Sequence, residues 1–354
     1  MTPAERTAAL RAIDANFNRA VEGLRVVEDQ ARFVLNDGFL AGSCKQLRHD
    51  LTTALQSVCG SEQDRYAARD TLADVGTAIT SPQETERQSL AQLAAANWQR
   101  VSQALRVIEE FAKLLGVSGS PFESFRYQTY TLAKAFVLNE RSQQTWLGRQ
   151  LYVLIDGESS EAEFAKLAQT LIEAGVHVLQ LRDKRLDDRA LLARGIHLRK
   201  LIDETASSDP KPLFIMNDRP DLAILTRADG VHVGQDELPV SEVRRLVGTT
   251  MQIGVSTHNL TQARAAVLAG ADYLGCGPTF PSGTKHFADF PGTAFLQQVA
   301  AELSLPAFAI GGITLSNLSA VQATGFTRVA VSGVISQSID PAAEVQRLLA
   351  ALRS

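Results

Sequence analysis

The chain has 354 residues, 45% hydrophobic and 21% charged, with a formal net charge of -4. That length exceeds one ordinary hydrophobic core, so two domains are expected, one of them large enough for a barrel of about 200 to 250 residues. The charge balance offers no basic field for nucleic acid, and no apolar run is long enough to span a bilayer.

The opening stretch, MTPAERTAALRAID, is polar and helix-forming and lacks the apolar core and cleavage site of a signal peptide. Cys44, Cys59 and Cys276 have neither the spacing of a zinc site nor that of a redox pair. Buried free thiols in a reducing cytoplasm are expected.

Two segments in the first part match each other, NFNRAVEGLRVVEDQAR from Asn16 to Arg32 and NWQRVSQALRVIEEFAK from Asn97 to Lys113. Leu24, Val27, Ala31 and Val34 fall at helical spacing, as do Leu105, Ile108, Ala112 and Leu115, so each segment is an amphipathic helix. Each is followed by a second helical stretch, CKQLRHDLTTAL or FESFRYQTYTLAKAF. An all-α domain over residues 1–140, built as two similar helical hairpins, is the expectation. The charges Arg19, Glu22, Arg25 and Glu28, with Arg100, Arg106 and Glu109, read as surface ion pairs at i,i+3 spacing. Between the halves, Asp70, Asp74, Gly76, Thr77 and Thr80 form a polar candidate ligand loop.

After a linker around Asn139 to Gln150, short apolar runs alternate with amphipathic helices over residues 141–354. The runs are LYVLID, VHVLQLR, PLFIMND, GVHVG, MQIGVST, YLGCGP, PAFAIGG and RVAVSG, eight in all. Alternation in that number predicts an α/β fold of the (β/α)8 TIM-barrel type. The first turn lacks the G-x-G-x-x-G that opens a doubly wound dinucleotide fold.

A barrel carries its chemistry where strands end. Strand 2 ends in Gln180, Arg182 and Lys184, strand 3 in Asn217, Asp218 and Arg219, strand 4 in Gln235, Asp236 and Glu237, and strand 5 in Ser256, Thr257 and His258. The Gly311-Gly312 and Ser332-Gly333 turns end strands 7 and 8, and Ser282-Gly283-Thr284-Lys285 follows strand 6. Glycine there admits backbone N–H groups to an anion, although it also serves tight turns. Carboxylates beside cations form structural ion pairs or, with one or two acids and phosphate oxygens, a Mg²⁺ site. Two anion sites imply two phosphorylated small-molecule ligands.

Taken in order, QLRDK, MNDRPDLA, DGVHVGQDELP, GVSTH, GCGPTFPSGTK, AIGGI and AVSGV resemble the thiamine phosphate synthase family over the whole barrel. The resemblance implies a transferase joining hydroxymethylpyrimidine diphosphate to hydroxyethylthiazole phosphate, with diphosphate leaving first. It places Gln180, Arg182, Lys184, Asn217, Ser256 and Lys285 on the pyrimidine diphosphate, with Arg182, Lys184, Lys285 and Ser256 catalytic. Ser282, Thr284, Gly312, Val331 and Ser332 fall on the thiazole phosphate. Mg²⁺ falls to Asp218 and a second acid, Glu237 or, alternatively, Asp236, where the family commonly has Asp.

The first domain resembles the helical domain preceding some of these synthases, sometimes grouped with a proposed pyrimidine phosphate kinase family. No G-x-x-x-x-G-K-[ST] loop supports kinase chemistry there, so no activity is assigned to it. The rival readings are a thiazole tautomerase and a catalytically silent phosphate-binding module. The cation and acid clusters argue against both. His232 reads as a packed core residue, Cys276 as packing, and His49, His177 and His197 as surface or helix positions. His258 has no nucleophile to pair with.

Overall fold

A computed structural model describes residues 1–71, 86–205, 210–281 and 290–353, and it divides into two compact units, Met1–Val137 and Leu138–Ser354. Asp74, Gly76, Thr77, Thr80, Ser282, Thr284 and Lys285 lie outside the described residues.

The first unit contains α1 (Pro3–Phe33), α2 (Gly38–Cys59), α3 (Glu62–Ala67), α4 (Leu90–Leu114) and the start of α5 (Ser120–Thr145). Thr2 opens α1 with a capping box, its hydroxyl accepting from Glu5 N while its own N–H donates to the Glu5 carboxylate. The repeat helices α1 and α4 pack side by side. Gly23 permits this, because a Cβ there would stand 2.8 Å from Val101 Cγ2.

The paired acids of the repeat differ from the expected surface pairs. Glu28 and Glu109 are buried, and each meets an arginine of the helix that follows. Arg48 Nη2 donates to Glu28 at 3.1 Å and Arg126 Nη2 to Glu109 at 3.3 Å, besides the i,i+3 partners Arg25 and Arg106. These are ties between helices, so removing one partner strands a buried charge. Both exposed and buried pairs share i,i+3 spacing, which is why the sequence did not distinguish them.

In the second unit the eight strands β1 (Leu151–Ile155), β2 (Val178–Leu181), β3 (Leu213–Asn217), β4 (Gly230–Val233), β5 (Gln252–Thr257), β6 (Tyr273–Cys276), β7 (Ala307–Ile310) and β8 (Val329–Val331) close into a parallel barrel. Each strand lies inside its predicted run. Helices cover the barrel; Asn259 caps one of them by accepting from Gln262 N, and Gly270 ends it at φ 94°, where glycine escapes the Cβ penalty.

Successive strand side chains alternate between the barrel interior and the helical shell. Tyr152, Val178, Ile215, Tyr273, Phe308 and Ala330 fill one interior layer. Two residues farther along each strand come Leu154, Gln180, Asn217, Gly275, Ile310 and Ser332, all bordering one cavity. The period of two thus carries the chain from a packed apolar layer to a polar one.

Residues 139–150 are not the expected linker. α5 continues to Thr145, Asn139 Nδ2 donates to Ser304 Oγ, and Arg141 Nη2 reaches the buried Asp272 carboxylate at 2.8 Å. Trp146, fully buried, closes the apolar layer with its ring centroid 4.3 Å from that of Tyr273 and 5.4 Å from that of Phe308. Its Nε1–H donates to Gln252 Oε1 at 3.0 Å. No described helix is long and apolar enough to cross a membrane.

Candidate active site

The cavity at the strand ends has a volume of about 830 Å³ and is bordered by Gln180, Arg182, Lys184, Asn217, Ser256, Gly312, Val331 and Ser332 among others. It therefore gathers every described residue expected on the two phosphorylated ligands.

The acids stand beside it. Lys184 Nζ lies 3.3 Å from Asp218 Oδ2 and 4.0 Å from Glu237 Oε1, so the two carboxylates converge on one cation. Asp218 holds φ 58°, a left-handed backbone uncommon for non-glycine residues but tolerated by Asp. Its N–H donates to His232 O at 2.8 Å, fixing the turn that aims the side chain. Glu237 folds back over Gly234, where a Cβ would meet its Oε2 at 2.3 Å. A side chain at 234 would push the Glu237 carboxylate aside. Asp236 is exposed, whereas Glu237 shares Lys184 with Asp218.

One organising residue escaped sequence reasoning. Asp183, flanked by Arg182 and Lys184, reads as another exposed loop acid, yet its side chain is buried. It accepts from Gly157 N at 2.9 Å, Arg185 N at 2.7 Å, Leu186 N at 3.2 Å and Arg185 Nη2 at 2.8 Å. Burial alone raises its carboxyl pKa, but these hydrogen bonds outweigh it and hold the group well below the usual carboxylate range. A folded value lowered in this way stabilises the fold in full above about pH 4, and that stability is lost as pH falls through the folded value. Asp183→Asn is expected to destabilise the barrel by roughly 2 kcal/mol at pH 7. The gap from the parent should narrow in acid, as followed by urea unfolding at several pH values.

At strands 7 and 8 the turns are shaped by backbone. Gly311 and Gly312 hold φ 100° and 63°, and a Cβ on Gly312 would lie 2.6 Å from Pro281 O. Asn317 braces this turn, donating through Nδ2 to Gly312 O at 2.8 Å and accepting from Thr314 N at 2.8 Å. The Ser332-Gly333 turn borders the same cavity.

His232 is buried as expected, with Nδ1 3.1 Å from the Tyr273 hydroxyl and Nε2 2.9 Å from Ser256 Oγ. Burial pushes its pKa down to about 4, so it is neutral at physiological pH. His258 Nδ1 donates to Gly277 O at 2.6 Å. His177 departs from the expected surface role, since its Nδ1 accepts from Gln150 N and Leu151 N, both at 3.1 Å, at the start of β1. Arg219 turns to Asp188 and Asp221 instead of the acids of the site. Cys276 is buried, and its thiol is pushed up to about 12, which leaves it inert.

The sequence matches the family described as thiamine monophosphate synthase over residues 151–335 and the ThiD2 family over residues 11–135. It is 43% identical over 347 residues to the thiamine-phosphate synthase of Rhodopirellula baltica, covering 95% of this chain and 90% of that protein. It is 38% identical over 343 residues to that of Nostoc punctiforme, covering 97% of this chain and 93% of the relative. Among solved structures, the thiamine phosphate pyrophosphorylase from Pyrococcus furiosus is similar at a TM-score of 0.52 and 28% identity, over 61% of this chain and 98% of that one.

Proposed function

The chain belongs to the thiamine monophosphate synthase family and forms thiamine phosphate, and we propose that it does so by joining hydroxymethylpyrimidine diphosphate to hydroxyethylthiazole phosphate in the one barrel cavity, with loss of diphosphate preceding attack by the thiazole nitrogen. The observation that carries this reading is the convergence of Asp218 and Glu237 on Lys184 beside a cavity that also borders the two glycine turns.

Breaking the bond between the pyrimidine methylene and diphosphate oxygen leaves negative charge on the leaving group. Stabilising that charge matters more here than supplying a base. Arg182 and Lys184 line the cavity and hold the diphosphate, and Lys285 joins them in this assignment. Asn217, Gln180 and Ser256 bind the pyrimidine. The donor set fits Mg²⁺, which takes one or two protein carboxylates and fills its other positions with water and phosphate oxygens. Asp218 and Glu237 would hold the metal, whose charge would draw electron density from the diphosphate oxygens. Lys184 then pairs with the diphosphate in place of the acids. Ser282, Thr284, Gly312, Val331 and Ser332 hold the thiazole phosphate, with backbone N–H groups admitted by the glycine turns. An attacking nitrogen that carries its own electron pair needs no base to activate it. The buried free thiols accord with a reducing, cytoplasmic setting.

Gly312→Ala separates the two anion sites. The φ and the approach to Pro281 O forbid a Cβ without a shift of the turn. The KM for thiazole phosphate should rise at least about tenfold, and that for pyrimidine diphosphate should hold within about twofold. Equal losses on both substrates would remove the two-site assignment.

A further inference from the structure

Five polar side chains from five strands touch in series inside the barrel. Gln180 Nε2 donates to Tyr152 Oη at 2.8 Å, and the Tyr152 and Tyr273 hydroxyls are 3.0 Å apart. The Tyr273 hydroxyl lies 3.1 Å from His232 Nδ1, and His232 Nε2 lies 2.9 Å from Ser256 Oγ. Gly254 makes room for the chain, because a Cβ there would stand 2.1 Å from Tyr273 Cζ and 2.4 Å from His232 Nδ1. The two ends are the residues assigned to the pyrimidine ring. The three middle groups have no part in the reaction as described so far.

Counting hydrogens gives the chain a direction. Each hydroxyl and a neutral imidazole carry one hydrogen to donate. With Gln180 donating, Tyr152 donates to Tyr273, Tyr273 to His232 Nδ1, and His232 Nε2–H to Ser256. The Ser256 hydrogen is then left for the cavity, and Gln180 Oε1 remains an acceptor. Turning the Gln180 amide over reverses every bond at once, so that Ser256 donates to His232 and Gln180 meets the ligand with N–H groups. Any mixture of the two directions either leaves a buried hydroxyl hydrogen without an acceptor or sets two acceptors face to face with no hydrogen between them, which a closed interior penalises.

We propose that Tyr152, Tyr273 and His232 are positioning residues that force Gln180 and Ser256 into opposite hydrogen-bond roles. In the direction that a donating Gln180 amide sets, the pocket selects an aromatic ring presenting a donor to Gln180 and an acceptor to Ser256. An aminopyrimidine, with an exocyclic amine beside ring nitrogens, offers that pair. The identity of the ring rests on the function proposed above, whereas the coupling of the two ends rests on the chain alone.

The test is a double-mutant cycle on the full chain, reading the affinity for hydroxymethylpyrimidine diphosphate with Mg²⁺ by titration calorimetry. Ser256→Ala alone should weaken binding about tenfold, the loss of one hydrogen bond. Tyr273→Phe should weaken it by a similar factor, because Nδ1 then loses its donor, the His232 tautomer is no longer fixed, and Ser256 can donate to Nε2 instead of to the ligand. Adding Ser256→Ala to Tyr273→Phe should cost less than about twofold more. Losses that multiply would mean that Tyr273 only packs, and would overturn the proposal. A second reading needs no variant: ¹⁵N NMR of histidine-labelled wild-type protein with the ligand bound should show His232 protonated at Nε2 and bare at Nδ1. The opposite tautomer would overturn the direction even if Tyr273→Phe failed to fold. If the wild-type protein bound the diphosphate yet made no thiamine phosphate, the functional reading would fall while the cycle still judged the chain.

Discussion

Asp218→Ala should lower Mg²⁺-dependent thiamine phosphate formation roughly a thousandfold, the scale of several kcal/mol expected for losing a metal that stabilises leaving-group charge. The fold should survive, because the Asp218 side chain meets only Lys184 among its described ion-pair partners while its backbone N–H holds the turn. Asp218→Asn isolates the charge, since Asn also tolerates a φ of 58°. It should therefore be impaired nearly as much as the alanine variant. Steady-state rates across a Mg²⁺ titration would show this, with melting curves as the control. Turnover within about threefold of the parent in both variants would remove Asp218 from the metal site.

Trp146→Ala is expected to cost the barrel about 3–5 kcal/mol. The indole is fully buried against Tyr273 and Phe308, so its removal leaves a cavity that close-packed strands cannot collapse to fill. It also strands Gln252 Oε1, the acceptor of its N–H. Amide hydrogen exchange in β1, β6 and β7 measures the loss locally and avoids assuming one transition for two units. A change under about 1 kcal/mol would mean that Trp146 merely rests on the barrel.

The two residues show unequal legibility. The position of Asp218 was readable because the apolar run LFIM gives way to Asn217 and Asp218, and barrel topology then places Asp218 just past the end of its strand. The same reasoning reached Gln180, Asn217, Ser256 and the glycine turns. Trp146 was not readable: it sits in SQQTWLGRQ, where one aromatic among polar residues carries no period, and its burial depends on the apolar layer formed by strands far along the chain. Asp183 failed similarly, because its partners are backbone N–H groups that a sequence does not display. That Glu237 shares Lys184 with Asp218 was not readable, because its side chain folds back over Gly234, a proximity visible only in three dimensions. Tyr152 and Tyr273 sit in strands where aromatic residues ordinarily signify packing; barrel closure is what brings their hydroxyls together. In the helical unit, the repeat was plain, but the burial of Glu28 and Glu109 followed from Arg48 and Arg126 on neighbouring helices.

One cavity couples two phosphorylated substrates through departure of diphosphate in the proposed reaction. This coupling is tested most directly by incubating the full chain with both substrates and Mg²⁺ in deuterated water, following products by mass spectrometry and phosphorus NMR. Equimolar thiamine phosphate and diphosphate should form, only when both substrates are present, and chelation should suppress both. Conversion of a thiazole phosphate alone, with deuterium incorporated and no diphosphate released, would contradict this coupling and identify the barrel as a proton-transfer enzyme.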